Sequence, residues 1–384
     1  MIKFVRWVLA IMLGVLGLLL HSGGSAFASE PTLPLNLNQI CKANQGADAH
    51  AVLLIRQDAY SWRCIDGSGQ QHSFDLNRDC QTVYGNTSTA SLGNRQDAYT
   101  WSCSVPVLSA QGAFQYTTFN GKAVTLTPWE GKNVAVLVSP SRETDPIVMS
   151  AIVAVLDQAY EFYQQTTGRS PTHRKVYNGH LSIAEVGDGE TCGAGCGYLG
   201  STGIELTETT FDALYNEVAA NNRYSQAVFY ELGRNFWFYN DQLNAIPHAF
   251  ATGFAILNRF QSMDYVNVDG ADFRNMSYDE FRSSILYDLY DRYRNDRSLN
   301  WQNTLGAQKA PDNPNGWGVT DFGAALMFQV YKDSGYSYDA YTAFWAAIAK
   351  QPTATTQQEV IDNFVAAALS ATGKDYSYMF SNTD

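Results

Sequence analysis

Residues 226 to 239 read QAVFYELGRNFWFY, a stretch with helical character centred on Tyr230-Glu231-Leu232-Gly233-Arg234. On a helix, positions 230 and 234 lie one turn apart on the same face, with a carboxylate beside them. Histidines at that spacing would hold a zinc ion together while the glutamate polarised its bound water. Here the two positions are tyrosine and arginine. An arginine stays protonated and has no lone pair to donate, so it repels a cation as well as failing to bind it. The residue chemistry therefore argues against a two-histidine zinc site on this helix, and no metal or other cofactor is expected. Glu231 keeps two readings: an ion pair with Arg234 at i+3, or a retained acid/base. Tyr230 and Arg234 together would suit a ligand's hydroxyls or carboxylate, the latter through bidentate hydrogen bonds.

Working outward, NVAVLVSP is a short β-rich run, and DPIVMSAIVAVLDQAYEFYQQTTG predicts a long helix opening at Asp145-Pro146 and closing at Gly168. KVYNGHLSIAEV predicts another strand, GYLGSTGIELTE a glycine-punctuated edge, and residues 209 to 220 a helix. From Phe250 onward the chain reads as mostly helical, broken at NVDGAD, taken as a turn, and at PDNPNGWG. Strands preceding helices make this an α+β domain.

In that order of elements the chain resembles the zincin metallopeptidases, and among them the gluzincins, over roughly residues 130 to 384. The second matching segment is HAFATGFAILNRF, where Gly253-Phe254-Ala255 fit and Thr252 stands where the third ligand, a glutamate, would be. Carried over position by position, Tyr230, Arg234 and Thr252 replace the three ligands and only Glu231 matches a catalytic residue. A metzincin alignment of ELGRNFWFYND fits locally and retains no ligand either. The resemblance implies a small sheet, an active-site-type helix, a helical C-terminal part, and an edge strand on which a peptide is laid by strand addition.

The first third carries an internal repeat. Cys41 and Cys64 recur as Cys80 and Cys103 at an offset of 39 residues, and Arg56-Gln57-Asp58-Ala59-Tyr60 with Trp62 recurs as Arg95-Gln96-Asp97-Ala98-Tyr99 with Trp101. Copies this small need a staple. Pairing within each copy, Cys41–Cys64 and Cys80–Cys103, is expected, with cross-copy pairing left open by sequence. Cys192 and Cys196 are expected to close a short loop. Tyr60 with Trp62, and Tyr99 with Trp101, sit at alternating positions expected to share a strand face. That face either packs a small core or forms an exposed aromatic platform for a sugar or cell-wall polymer, where tandem sites would gain avidity. The expected layout is a signal peptide over 1–28, the repeat module over 35–104 with copies at about 37–64 and 76–103, a linker over 105–131, and the zincin-like domain over 132–384.

The signal peptide is read from Lys3 and Arg6, the apolar run WVLAIMLGVLGLLL, and Ala26-Phe27-Ala28, with cleavage after Ala28. The run is shorter than the ~20 residues of a spanning helix, so a secreted product without a membrane span is expected. The chain has 37 acidic against 25 basic residues, a net charge of −12, which argues against nucleic acid and anionic membrane surfaces as partners. The sequence thus points to a secreted non-catalytic relative of zinc metallopeptidases. It would bind peptide or carbohydrate at the former cleft, or a cell surface through the repeats. The alternatives are a zinc-independent hydrolase using Glu231 with a second acid, as glycosidases do, and a weak metallopeptidase with displaced ligands.

Overall fold

A computed structural model describes residues 32 to 381, apart from residues 47, 85, 86 and 247; the expected signal peptide lies outside the described residues. The repeat region opens with β1 (Thr32–Pro34), α1 (Leu37–Gln45), β2 (His50–Leu53) and β3 (Trp62–Ile65). The same four elements follow 39 residues later as β4 (Gln71–Ser73), α2 (Leu76–Tyr84), β5 (Thr89–Leu92) and β6 (Trp101–Ser104). The repeat therefore starts at residue 32 rather than 35, and each copy is a β-α-β-β unit.

The two units exchange their first strands. β1 of the first copy pairs with β6 of the second, Leu33 opposite Cys103, while β4 of the second pairs with β3 of the first, His72 opposite Cys64. Each three-stranded sheet, β2-β3-β4 and β5-β6-β1, thus contains one strand from the other copy. Disulfides close each unit internally, Cys41–Cys64 and Cys80–Cys103. The exchange is repeated by the side chains. Trp62 donates its indole N–H to the Ala98 carbonyl and Trp101 donates to that of Ala59, each at 2.7 Å. Tyr60 packs edge-on against Trp101 and Tyr99 against Trp62, with ring centroids 5.4 and 5.7 Å apart.

The expected shared strand face is corrected here. Tyr60 lies in a single 3-10 turn, Ala59–Ser61, capped by the Asp58 carboxylate accepting from the Tyr60 amide, and only Trp62 belongs to the strand. Each tyrosine therefore meets the tryptophan of the other copy rather than its own.

The larger part begins with β7 (Phe114–Thr117), β8 (Ala123–Glu130) and β9 (Val134–Val138), followed by α3 (Pro146–Thr167), β10 (Val176–Tyr177), β11 (His180–Val186), β12 (Gly195–Gly197) and β13 (Ile204–Thr207). These seven strands form one mixed sheet in the order β12-β13-β11-β9-β8-β7, with β10 hairpinned onto β11. The segment 105–131, expected to be a linker, therefore supplies two sheet strands, and the domain begins before residue 132. Its signal was an Asn120-Gly121 turn, with Gly121 at φ 84°, between alternating runs that bury Tyr116 and Leu126.

Helices then dominate: α4 (Glu208–Asn221), a short β14 (Arg223–Tyr224), α5 (Gln226–Asn235), α6 (Asn240–Leu243) and α7 (Ala249–Tyr265). After β15 (Asp269–Gly270) come α8 (Tyr278–Leu286), α9 (Asp288–Asn295), α10 (Val319–Asp333), α11 (Tyr338–Ile348) and α12 (Gln357–Thr372). NVDGAD, expected to be only a turn, contributes β15, which pairs in parallel with β14. A glycine is needed there because a Cβ on Gly270 would lie 2.0 Å from the Tyr278 ring.

α3 spans the sheet's helical face. Asp145 caps its first turn by accepting from the Ile147 amide, Pro146 takes the first position, and Gly168 ends it in the left-handed region at φ 63°. The main core lies between that face and the helices. A smaller cluster of Tyr116, Leu126, Ala135, Leu137, Ala184 and Val186 covers the other face. Leu33 and Val105 belong to the main core, so the repeat module is packed onto the domain. No helix among the described residues is long and apolar enough to cross a membrane.

Candidate functional site

α5 carries the YELGR segment and packs antiparallel to α7. Gly233 makes the close approach possible, since a Cβ there would sit 2.8 Å from the Ala255 Cα. On its other side α5 lies against β12, the antiparallel edge strand, whose loop is closed by the Cys192–Cys196 disulfide. Gly195 and Gly197 bring this strand down onto the helix: a Cβ at 195 would be 3.1 Å from the Glu231 Cγ, and one at 197 would be 2.7 Å from the Glu231 carbonyl.

The two charged residues of YELGR act on this strand. Arg234 Nε donates to the Gly197 carbonyl at 3.1 Å, and the Glu231 side chain packs against Gly195 and Gly197. The Gly200 amide donates to the Arg234 carbonyl at 3.2 Å, and Asn235 Nδ2 donates to the carbonyls of Tyr198 and Gly203. On the edge expected to accept a peptide by strand addition, the Gly197 carbonyl is therefore already held by α5.

Glu231 is 5 % exposed, and its Oε2 lies 3.6 Å from Arg234 Nε without a hydrogen-bond partner. Burial raises its pKa to about 7, against the opposing pull of the Arg234 charge and the Gly197 amide.

Tyr230 is half-buried, and burial raises its pKa, with Glu231 acting in the same direction and Arg234 and Arg259 opposing. Arg259 on α7 is a buried cation that sequence reading missed. Its guanidinium lies 6.0 Å from the Tyr230 ring centre and donates to Gln226 Oε1 at 2.8 Å. Burial lowers its pKa to about 10. Thr252 is partly buried on α7, and no hydrogen bond joins it to Tyr230, Glu231 or Arg234 among the described residues. The structure thus brings Tyr230, Glu231 and Arg234 together and leaves Thr252 without a hydrogen bond to them. The donor set does not fit zinc, because a guanidinium occupies one of the positions. Among the described residues no group of three or more His, Cys, Asp or Glu side chains is placed to hold a metal ion.

Two open clefts lie instead where the repeat module meets the domain. One, of about 320 Å³, is lined by Trp62, Tyr99 and Trp101 together with Asn36, Asn38 and Asn267. The second, of about 260 Å³, lies between α1 and α2 and is walled by α3 and the end of α7. Pro34, Leu35 and Asn36 line both, so the clefts adjoin across the chain that leaves β1. Three of the four aromatics singled out from the repeats therefore meet in one cleft. Tyr60, 54 % exposed, is not among the residues lining it.

No family model matches the chain, and no curated protein matches it. Among the solved structures to which the chain is similar are two from Bacillus anthracis str. Ames. A mutant of a functionally unknown conserved protein gives a TM-score of 0.45 at 11 % identity, covering 67 % of this chain and 49 % of that chain. A functionally unknown conserved protein gives a TM-score of 0.40 at 11 % identity, covering 65 % of this chain and 46 % of that chain. This chain therefore spans about half the length of each.

Proposed function

We propose that this protein is a secreted, non-catalytic relative of the zincin metallopeptidases that binds a carbohydrate, such as a cell-wall or surface polymer, at its repeat module. The observation that carries the binding reading is the Trp62, Tyr99 and Trp101 cleft. Indole and phenol rings offer flat apolar faces to the C–H faces of a sugar ring, and the amides of Asn36, Asn38 and Asn267 supply donors and acceptors for its hydroxyls. Tyr99 is 71 % exposed, so a ligand reaches its ring without displacing protein. The net charge of −12 suits a neutral or cationic ligand better than an anionic one.

The non-catalytic reading is supported by the occupation of α5. Its guanidinium is committed to the Gly197 carbonyl, which takes up part of the strand edge that a peptide would use. A zinc-independent hydrolase would need a second acid paired with Glu231, whereas the charged group beside it is the Arg234 guanidinium, 3.6 Å away. Export is supported by the N-terminal basic and apolar pattern, the three disulfides and the acidic balance.

Intrinsic tryptophan fluorescence, titrated with soluble glycan oligomers, tests the binding reading. A saturable change is expected, weakened about tenfold or more by Tyr99→Ala. Failure of every neutral and amino-bearing glycan to perturb the fluorescence would overturn it.

A further inference from the structure

The cleft between α1 and α2 lies where the two repeat copies face each other, and equivalent residues line it from both sides. Ala43 faces it from α1 and Thr82, its counterpart, from α2. At two pairs the copies differ in polarity. Ile40 of the first copy corresponds to Asp79 of the second, and Asn44 corresponds to Val83. All four line the cleft. The polar members are joined, Asn44 Nδ2 donating to Asp79 Oδ1 at 3.1 Å.

Asp79 is 4 % exposed, and its second oxygen, Oδ2, has no hydrogen-bond partner. The one cation acting on it is Arg78, the preceding residue, which is exposed. Burial raises the Asp79 pKa, with Asn44 opposing. A carboxylate oxygen buried without a donor is costly, and a ligand that brings a donor recovers that cost. The remaining walls are Gln158 and Glu161 on α3, with Tyr265 and Val266 closing the end. Glu161 adds a second acid, one oxygen of which already receives the Lys132 ammonium at 2.6 Å. Two acids, the amides of Asn44, Gln158 and Gln165, and apolar surface thus surround a space of about 260 Å³.

We propose that this cleft is a subsite for an amino sugar, whose ammonium group pairs with the free oxygen of Asp79 while the ring lies between α1 and α2. The proposal rests on the carbohydrate reading of the adjoining aromatic cleft and names the chemical feature by which the polymer is chosen. A chain of sugars entering past Tyr99 and the tryptophans would cross Pro34, Leu35 and Asn36 and place an amine-bearing residue against Asp79. Binding here involves no covalent step. It exchanges the hydration of an ammonium for a charge-assisted hydrogen bond.

The test is calorimetric titration of the full mature chain with glucosamine oligomers and their N-acetylated counterparts, at neutral pH. The expected result is at least tenfold tighter binding of the amine-bearing oligomer. Asp79→Asn should abolish that preference while leaving the acetylated oligomer's affinity unchanged. Thr82→Trp, on the exposed rim, should block the subsite without touching the Asn44–Asp79 bond, and keeps the test decisive if the first variant folds poorly. Equal binding of both oligomers, insensitive to either variant, would overturn the amine subsite and leave the aromatic cleft standing. Binding of neither oligomer, nor of any other glycan, would remove both readings. Preference for lysine-containing peptides over glucosamine oligomers, lost in Asp79→Asn, would assign the site to a protein amine and overturn the sugar.

Discussion

The molecule covers strand backbone in two ways. In the repeat module the outer partner of β6 is β1 and that of β3 is β4, so each copy fills the other's edge with backbone and, at Leu33, with a buried side chain. In the large domain β12 stays at the sheet edge, its Gly197 carbonyl taken by Arg234 and its glycines packed against Glu231 of α5. Both arrangements occupy strand backbone groups that would otherwise be open to pairing with another chain. They differ in what holds them: the first rests on apolar burial and ladder hydrogen bonds, the second on a buried carboxyl beside a half-buried guanidinium. The first should be indifferent to pH and sensitive to lost volume, the second the reverse.

Leu33→Ala breaks the first arrangement most directly. Leu33 is fully buried in the main core, opposite Cys103. Its truncation should cost about 4 kcal/mol, toward the upper end of buried leucine truncations because the site is enclosed on all sides. Differential scanning calorimetry would show a lower Tm at every pH. A cost that varied strongly with pH would mean the strand is held by something other than packing.

Glu231→Gln addresses the second. Its carboxyl, raised to about 7 from an ordinary 4.5, favours the protonated form in the folded chain. The stability tied to that proton is complete below pH 4.5 and is lost as the pH rises through about 7. The shift amounts to about 3 kcal/mol across that window. The wild type should therefore be less stable at pH 8 than at pH 5, and the glutamine variant should remove part of that slope. Asp157 leaves a remainder: burial raises it to about 6 against the backbone amides of Lys132, Asn133 and Val134. Unfolding by denaturant across this range checks the difference, and parallel curves for the two proteins would sink the latch.

Trp101→Ala removes an edge-on ring contact and a hydrogen bond to the other copy, and should cost about 2 kcal/mol because the indole is only half-buried. Trp62→Ala should match it, since the two contacts are near images of each other. The double variant measures whether the interface acts as a unit: coupling of about 0.5 kcal/mol or more is expected for residues sharing one interface. Strict additivity would argue that each tryptophan packs alone.

Much of the fold was legible because local signals agreed. Asp145-Pro146 and Gly168 marked both ends of α3, and the helical period over 226–239 placed α5. The β7–β8 hairpin was lost in a loop-like composition, although its Asn-Gly turn carried the clue. The repeat was visible as an offset, but strand exchange was not, because an unswapped and a swapped unit have the same internal spacing. The identities between copies also misled. Asp58, Ala59, Tyr60 and Trp62 recur with their counterparts for turn capping and copy-to-copy contact. The divergent pairs Ile40/Asp79 and Asn44/Val83, which line the cleft, attracted no notice in the sequence. At α5 the sequence named the right residues but not their commitment to β12, which depends on Gly195 and Gly197 drawing a distant strand against the helix.

The smallest expected effect belongs to the counterpart of Leu33. His72 occupies the same place in the exchanged strand β4, opposite Cys64, yet its side chain points to a partly exposed contact with Asp66 at 2.7 Å. Contacts of that kind add little, because water screens the charges and the side chains give up freedom to meet. The β4 ladder is made by backbone groups that the substitution does not touch. His72→Ala should therefore shift the Tm by less than about 2 °C, although the equivalent change at Leu33 is among the most damaging in the module. The contrast separates two meanings of an exchanged strand. If both substitutions unfold the module alike, the strands are held symmetrically and the burial of Leu33 in the main core counts for nothing. If only Leu33→Ala does, β1 is the tether that fixes the repeat module to the domain, and β4 is a strand that merely completes its sheet.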